Sequence, residues 1–408
     1  MLNFTYCNPT RIVFGKGVIA KINELIISDA KVLLTYGGGS IKKNGVYRQV
    51  KAALKKRMVV EFGGIEPNPA YETLIKAVRL GREKKINFIL AVGGGSVLDG
   101  SKFIAAAIPY KNKNLWEIVA KHGQTVKSAV PLGTVLTLPA TGSEMNAFGV
   151  ISKLSTTEKL AFGSPHCYPK FSILDPQTTY SLDKKQLRNG IVDTFVHVAE
   201  QYATIDVSTP LQDRYAESIF KTLIDIAPAV MSPVRNGPPF AAVGHHKCPV
   251  SNGMSGKKNY DIRATFMWTA TQALCGLLSC GVIGDWSTHG IGHEITAFFG
   301  LAHAETLAIV LPALWKYEIN NKAGKLAMLA QNVWGVKKGT KKQKAAAAIK
   351  RTVEFFNSLD MPTSLKDYNI TRKDIEKVVD RFAERGVSFG ENSDIDAKAV
   401  RKILKLCL

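Results

Sequence analysis

The sequence predicts an α/β domain, with a parallel sheet and flanking helices, followed by an all-α domain. Up to about residue 180, short β-branched or apolar runs alternate with segments of helical periodicity, a pattern typical of a parallel sheet with crossover helices. From 184 to 408 this strand pattern disappears, and helical segments follow one another across short polar turns. A chain of 408 residues, 46% of them hydrophobic, is long enough for two cores. We therefore predict domains at 1–181 and 182–408.

Five strands are predicted in the first domain from their β-branched and apolar content. They are 31–36, 57–62, 87–92, 134–138 and 171–174. The segments between them, such as 70–84, show apolar residues at helical spacing and basic residues near the C-terminal end, as the helix dipole favours. The first domain is thus predicted to be Rossmann-like.

Two segments of the second half depart from ordinary helical patterns. Residues 231–259 are rich in Pro, Gly, Ser and Asn, which predicts a surface loop insertion; its His245, His246 and Cys248 lie too close together to resemble a metal site built from distant elements. Residues 264–284 carry no charge and are long enough to cross a bilayer. Their threonines and glutamine favour a fully buried helix beside an active site instead.

Composition excludes several classes of protein. The formal charge is +21, but the basic residues are spread along the chain and are interleaved with apolar positions; we therefore expect a solvated surface and no nucleic-acid or membrane partner. The N-terminus lacks the charged and apolar regions of a secretory signal. The cysteines show no disulfide spacing and favour a reducing cytoplasm; they are Cys7, Cys167, Cys248, Cys275, Cys280 and Cys407.

Glycine-rich turns follow two of the predicted strands. They are Tyr36-Gly37-Gly38-Gly39-Ser40, with Lys42 close behind, and Val92-Gly93-Gly94-Gly95-Ser96, which runs on to Asp99. Such turns let a backbone approach a pyrophosphate at a helix N-terminus, although neither fits G-x-G-x-x-G and one alone could be a simple tight turn. A third motif follows the strand at 134–138 and includes Thr137, Thr141 and Ser143. Together they favour a dinucleotide site at the carboxyl edge of the sheet.

Histidines in apolar surroundings indicate a metal site in the second half. Asp193 and His197 stand four residues apart, so both side chains leave the same helix face. In an isolated Asp–His pair of this kind, the histidine is more often a hydrogen-bonded core residue than a metal ligand. A metal site becomes the favoured interpretation because three more histidines follow in a second apolar segment: His289, His293 and His303. A catalytic metal is typically bound by ligands from distant segments of the chain. A metalloprotease is excluded, because alanine occupies position 297 where H-E-x-x-H requires histidine.

These residues stand in motifs that resemble the iron-containing alcohol dehydrogenase family, in its branch of butanol dehydrogenases and broad-specificity NADPH-dependent aldehyde reductases. The resemblance covers nearly the whole chain, and its main departure is the segment 231–259. The motifs, in order, are TRIVFGKG, TYGGGSIKKNG, FGGIEPNPAYETL, AVGGGSVLDGSKFIAAA, LTLPATGSEMN, GIVDTFVHVAEQY, DWSTHGIGHEITAFFGLAHAETLAIVLPALW and FGENSDI.

The resemblance implies the dehydroquinate synthase-like architecture, with an active site in the cleft between an N-terminal Rossmann-like domain and a helical C-terminal domain, and a homodimer. It assigns the metal to four ligands: Asp193, His197, His289 and His303. His293 then lies near the nicotinamide and relays protons without being a ligand. The metal is Fe²⁺ or Zn²⁺, with Ni²⁺ and Mn²⁺ left open, because histidine and carboxylate ligands accept all four.

The resemblance also implies which residues bind the dinucleotide. Around the pyrophosphate and nicotinamide it places Gly94, Gly95, Ser96 and Asp99, with Thr137, Thr141, Ser143 and Lys159 completing that wall. At the first turn, Gly37, Gly38, Gly39 and Ser40 are followed by Lys42 and Lys43. A 2′-phosphate would meet donors and positive charge there, and no carboxylate, which favours NADP(H) over NAD(H).

The predicted function is hydride transfer between NADPH and aldehydes, or in reverse from primary alcohols such as butanol, by a metal-dependent alcohol dehydrogenase. Two alternatives are a lyase similar to dehydroquinate synthase and a polyol oxidoreductase similar to glycerol dehydrogenase. The substrate's chain length stays open, although five residues suggest an apolar pocket wall: Phe148, Trp286, Phe298, Phe299 and Leu301.

Overall fold

A computed structural model describes residues 1–232 and 259–408 of the chain. Eight strands fall in its first part: β1 (Arg11–Phe14), β2 (Lys31–Tyr36), β3 (Met58–Phe62), β4 (Phe88–Gly94), β5 (Leu132–Leu138), β6 (Phe148–Lys153), β7 (Glu158–Gly163) and β8 (Phe171–Leu174). Six of them form a parallel sheet in the order β1-β8-β5-β4-β2-β3. The other two, β6 and β7, form an antiparallel hairpin.

Helices surround the sheet and make up most of the later chain. The first six are α1 (Ile22–Leu25), α2 (Ser40–Lys43), α3 (Val46–Ala53), α4 (Tyr71–Glu83), α5 (Gly95–Ala107) and α6 (Glu117–Ala120). The later ones are α7 (Lys184–Tyr202), α8 (Pro210–Met231), α9 (Tyr260–Ala273), α10 (Ser287–Phe299), α11 (His303–Tyr317), α12 (Ile319–Asn332), α13 (Lys341–Ser358), α14 (Arg372–Arg385) and α15 (Ala397–Leu406).

The sheet is apolar on both faces, as a parallel sheet covered by helices requires. Alternate residues of its central strands belong to two different core clusters. Leu33 and Ile89 pack into the cluster that includes residues of α4 and α5, whereas Val32 and Leu90 pack into the one that includes residues of α1 and α3. The near-continuous apolar runs that predicted these strands therefore reflect burial on both sides.

The chain divides into two compact units whose bounds are not continuous in sequence. One consists of Cys7–Asp183 and Tyr260–Cys275; the other consists of Met1–Tyr6, the described part of Lys184–Asn259, and Gly276–Leu408. Helix α9 thus groups with the sheet unit. Its Thr271 hydroxyl donates to Glu144 Oε1 at 2.6 Å, a buried contact within that unit.

The predicted fold class and all five predicted strands are confirmed. Strands β1, β6 and β7 were missed, because β1 has no fully buried residue and the hairpin is partly exposed, with Phe148 at 58%. The continuous, fully buried helix over 264–284 was wrong. Helix α9 ends at Ala273, where the chain turns through the left-handed Gly276 and Gly281, and its Trp268 is 42% exposed.

Two further expectations concern the segment after α8 and the membrane. Of the loop predicted at 231–259, residues 233–258 lie outside the described part of the chain, as do His245, His246 and Cys248. None of the helices in the described ranges combines the length and the hydropathy needed to cross a bilayer.

Candidate functional site

Helix α7 brings the first two predicted ligands together. Asp193 and His197 are separated by about one helical turn, so their side chains leave the same face. The residues are only 3% and 4% exposed, and His197 Nδ1 lies 3.3 Å from Asp193 Oδ1. Burial lowers the pKa of His197 to about 4, which keeps the imidazole neutral and its lone pair available near neutral pH.

Two later helices direct histidines at the same carboxylate oxygen. His289 lies in the first turn of α10 and places Nε2 3.9 Å from Asp193 Oδ1. His303 begins α11 and places Nε2 3.8 Å from that oxygen, with 24% of its side chain exposed. The structure therefore brings together all four predicted ligands, all within the helical unit.

The arrangement fits a divalent transition metal. Metal–ligand bonds of about 2.0–2.2 Å in a tetrahedron place ligand atoms roughly 3.3 Å apart, close to the observed separations. His197 Nδ1 and His289 Nε2 are buried and have no hydrogen-bond partner among the described residues, a state that costs free energy unless another group binds them. Ligand atoms of Asp193, His197 and His289 lie within 4.8 Å of one another.

His293 lies beside this cluster. It follows His289 by one turn of α10 and is partly exposed, with its ring centroid 5.3 Å from that of His303 and 6.2 Å from that of His289. The next residue, Glu294, is buried and pairs with Arg385 and Arg381 of α14. That carboxylate is therefore engaged in helix packing, which agrees with the exclusion of a metalloprotease.

Sequence reasoning missed Glu200. This buried carboxylate lies on α7 and contacts the ring of His289 through Nδ1. Burial alone would lower the pKa of His289, but the charge of Glu200, with smaller contributions from Asp193, raises it to about 9. A signal was available, since Asp193, His197 and Glu200 follow the i, i+4, i+7 spacing of one helix face.

The predicted cofactor motifs meet at one edge of the sheet. Strands β2, β4 and β5 are neighbours and run parallel, so the turns that follow them lie at the same edge. The direction of strand addition reverses between β2 and β4, which is where ligands bind in open α/β sheets. Strand β4 leads directly into α5, and a Cβ at Gly95 would collide with the side chain of Thr141.

Polar groups behind this edge form two connected sets. Ser143 Oγ donates to Asp99 Oδ1 at 2.6 Å and accepts from the buried Lys102 at 2.8 Å. Burial lowers the pKa of Lys102 to about 8 and raises that of Asp99. In the second set, Asn68 receives a bond from Lys159 Nζ at 2.9 Å, and its backbone N–H donates to Ser96 Oγ at 3.3 Å. Sequence reasoning missed Asn68.

The turn after β2 is open but has a carboxylate near it. Gly39 adopts a left-handed conformation with φ 93°, and a Cβ at Gly38 would meet nothing within 4 Å. Lys42 Nζ lies 5.0 Å from the ring centroid of Tyr36. Tyr36 and Tyr47 both donate to Glu61 of β3, at 3.4 and 2.7 Å. The expectation of positive charge without a carboxylate was therefore incomplete, although Lys51 pairs with Glu61 at 2.9 Å.

Of the five residues suggested for an apolar pocket wall, Trp286 contacts the candidate metal site. Its ring centroid lies 5.7 Å from that of His289 and 6.5 Å from that of His197. The guanidinium carbon of Arg381 instead stacks over the ring of Phe298, 4.8 Å from its centroid. Phe298 also packs against the core formed by α10, α11, α14 and α15.

Comparison with known proteins identifies the family. The profile described as iron-containing alcohol dehydrogenase matches residues 9–176, and the profile of the C-terminal part of Fe-containing alcohol dehydrogenases matches residues 250–408. The chain belongs to the iron-containing alcohol dehydrogenase family. The predicted class of enzyme, a nicotinamide-dependent alcohol dehydrogenase or aldehyde reductase, is thereby confirmed, and the lyase alternative is not favoured.

Individual members of the family match over the full length. The NADPH-dependent aldehyde reductase YqhD of Escherichia coli (strain K12) is 51% identical over 405 residues, which cover 99% of each chain. The probable NADH-dependent butanol dehydrogenase 1 of Bacillus subtilis (strain 168) is 40% identical over 413 residues, which cover 100% of each. The crystal structure of E. coli K-12 YqhD superposes with a TM-score of 0.92 at 49% identity and covers 100% of this chain and 99% of that one.

Proposed function

We propose that this chain reduces aldehydes to primary alcohols with NADPH, in a reaction that depends on one divalent metal bound by Asp193, His197, His289 and His303. The observation that carries the proposal is the convergence of three imidazoles on one buried carboxylate oxygen, each nitrogen within 3.9 Å of Asp193 Oδ1. When bound there, a divalent metal supplies a Lewis acid for the aldehyde oxygen. NADPH, a proton and the aldehyde give NADP⁺ and the alcohol.

The chain's own residues hold the partners of this reaction. The N–H groups at the start of α5 and the glycine turns suit the pyrophosphate of the dinucleotide. Ser143 and Lys102 fix Asp99 beside them. His293, partly exposed and next to His303, is placed to pass the proton that the product alcohol requires.

The experiment that tests this function combines turnover with metal content. We expect the purified protein to contain metal and to oxidise NADPH with a panel of aldehydes, and a chelator to abolish this activity. His289→Ala should lose both metal and activity, because it removes a ligand. His293→Ala should retain the metal and turn over more slowly, by about 10²–10⁴-fold if its proton transfer is lost.

Elemental analysis and NADPH absorbance are the two readouts, and folding of each variant is checked by circular dichroism. Lys21→Ala provides a control, since Lys21 is exposed and its ammonium pairs with Glu24, which is also exposed. A His289→Ala protein with a full metal complement and a normal rate would refute the ligand assignment. Aldehyde-dependent NADPH consumption that a chelator leaves intact would refute the metal dependence.

Preference for NADPH is the finer part of the proposal, because related proteins include both NADPH- and NADH-dependent enzymes. The open turn at Gly37, Gly38, Gly39 and Ser40 leaves room for a 2′-phosphate. Lys42 stands exposed two residues later, over the rings of Tyr36 and Tyr47, and supplies positive charge. The nearby Glu61 is neutralised by Lys51.

Lys42→Ala tests this preference. We expect the KM for NADPH to rise by about tenfold while the KM for NADH changes less than twofold, because a hydrogen bond to a charged group is worth roughly 1.5–3 kcal/mol. Steady-state kinetics with both cofactors measure the two values, with Lys21→Ala as the control. An equal rise for both cofactors would show that Lys42 does not recognise the 2′-phosphate.

We also propose that the chain forms a homodimer, as the resemblance implies. Strand β1 lies at one edge of the sheet, with β8 as its neighbour, and an open strand edge favours pairing with another chain. Phe14 on this strand is 38% exposed, and its ring contacts that of Trp268, which is 42% exposed, with 6.0 Å between the ring centroids.

A cytoplasmic location stays a prediction from cysteine spacing.

Light scattering should give twice the mass of one chain, and Trp268→Lys should shift the distribution toward monomer, because it places a charge in an apolar contact. Leu211→Lys is the matched control, since Leu211 is 74% exposed on α8. A wild-type mass of one chain would contradict the dimer. A Trp268→Lys dimer as stable as the wild type would exclude this surface.

A further inference from the structure

The side chain of Glu200 contacts the first turn of helix α10. Its Oε1 accepts the backbone N–H groups of Thr288 at 2.7 Å and His289 at 3.2 Å. Its Oε2 contacts Nδ1 of the His289 ring. The carboxylate is completely buried, so these three nitrogens replace the water that the charge loses.

The two backbone contacts serve the N-terminus of α10. A helix begins with N–H groups that have no partner within the helix and carry partial positive charge. The N-cap residue of α10, Trp286, forms no side-chain cap hydrogen bond. Glu200 therefore supplies from α7 the acceptor that a capping side chain would ordinarily provide.

The third contact orients the His289 ring and selects which of its nitrogens keeps a proton when the ring is neutral. A neutral imidazole carries its proton on one nitrogen and its lone pair on the other. In the neutral ring that a metal requires, the carboxylate that faces Nδ1 keeps the proton on that nitrogen and leaves the lone pair on Nε2. That atom is buried, without a hydrogen-bond partner among the described residues, and 3.9 Å from Asp193 Oδ1.

We propose that Glu200 is a positioning residue for the metal site, which fixes both the orientation and the tautomer of His289 while it caps the helix that carries it. The inference rests on the proposed function, since it assumes that His289 binds metal. Helix α7 then contributes two ligands directly and governs a third. Removal of such a partner typically lowers metal affinity by about 10–100-fold.

The segment before α10 is also held independently of the Glu200 side chain. Asp285 Oδ1 accepts the backbone N–H of Ser287 at 3.1 Å, and Asp285 Oδ2 pairs with the buried Lys322 at 3.0 Å. Asp285 N–H donates to the backbone oxygen of Glu200 at 2.9 Å. Substitution of the carboxylate alone therefore leaves α10 anchored, and we expect the variant to fold.

Glu200→Gln is the decisive substitution, because it keeps the size of the side chain. Its amide oxygen can still accept the two backbone N–H groups, but its NH₂ group donates to Nδ1 and moves the ring proton to Nε2. We expect the dissociation constant for Zn²⁺, from competition with a chelator, to rise by about 10–100-fold. With Co²⁺ as the probe, the visible bands of a tetrahedral site should weaken and shift.

Glu294→Gln is the matched control: this buried glutamate lies on α10, one residue from His293, and pairs with Arg385 and Arg381. It should lower stability but leave the Zn²⁺ dissociation constant within about twofold. Glu200→Asp keeps the charge with a shorter reach and should recover part of the affinity. If Glu200→Gln fails to fold, Glu200→Asp replaces it as the test. A Zn²⁺ dissociation constant equal to that of the wild type in Glu200→Asp would then count against the proposal.

The outcomes separate the two proposals. If the folded Glu200→Gln protein binds Zn²⁺ as tightly as the wild type with an unchanged Co²⁺ spectrum, the positioning role is overturned while the metal site stands. If the wild type itself binds neither ion, the proposed function fails at its metal. If Glu294→Gln weakens Zn²⁺ as much as Glu200→Gln does, general loss of packing explains the effect and the specific role of Glu200 is overturned.

Discussion

The organisation of the helical unit depends on two buried carboxylates on one face of α7. A buried charge is costly unless donors or cations satisfy it, and Asp193 and Glu200 are 3% and 1% exposed. Glu200 is satisfied by the first turn of α10, whereas Asp193 faces three histidines and so favours a bound cation. Compensation of the Glu200 charge fixes the start of α10, and α10 carries His289 to the Asp193 carboxylate. The two buried charges therefore connect the position of α10 with the candidate metal site.

The sheet unit follows a different constraint, which is close backbone approach at the ends of adjacent parallel strands. β4 passes directly into α5 without an intervening residue, and Gly95 there has no room for a side chain beside Thr141. The resulting helix N-terminus suits an anion. Behind it, Lys102 is 0% exposed and stabilises Asp99 and Ser143, so polar groups at this edge are held by a buried cation.

Features that depend on local pattern could be predicted from the sequence, and features that depend on distant partners could not. Apolar runs identified five strands, of which β2, β4, β5 and β8 are buried along nearly their whole length. Helical spacing placed Asp193 and His197 on one face. Glu200 and Glu61 were missed, because their contacts come from residues 10 to 89 positions away. Spacing alone also could not separate His289 from His293, and only the resemblance assigned different roles to the two.

The most direct test of the metal site is anomalous diffraction from crystals of the protein, recorded on both sides of the absorption edge of the metal that elemental analysis finds. The result we predict is one anomalous peak bounded by Asp193, His197, His289 and His303, at about 2.0–2.2 Å from an atom of each, with His293 outside bonding distance. A peak coordinated by His293 in place of one of the four, or a metal bound elsewhere in the chain, would contradict the assignment.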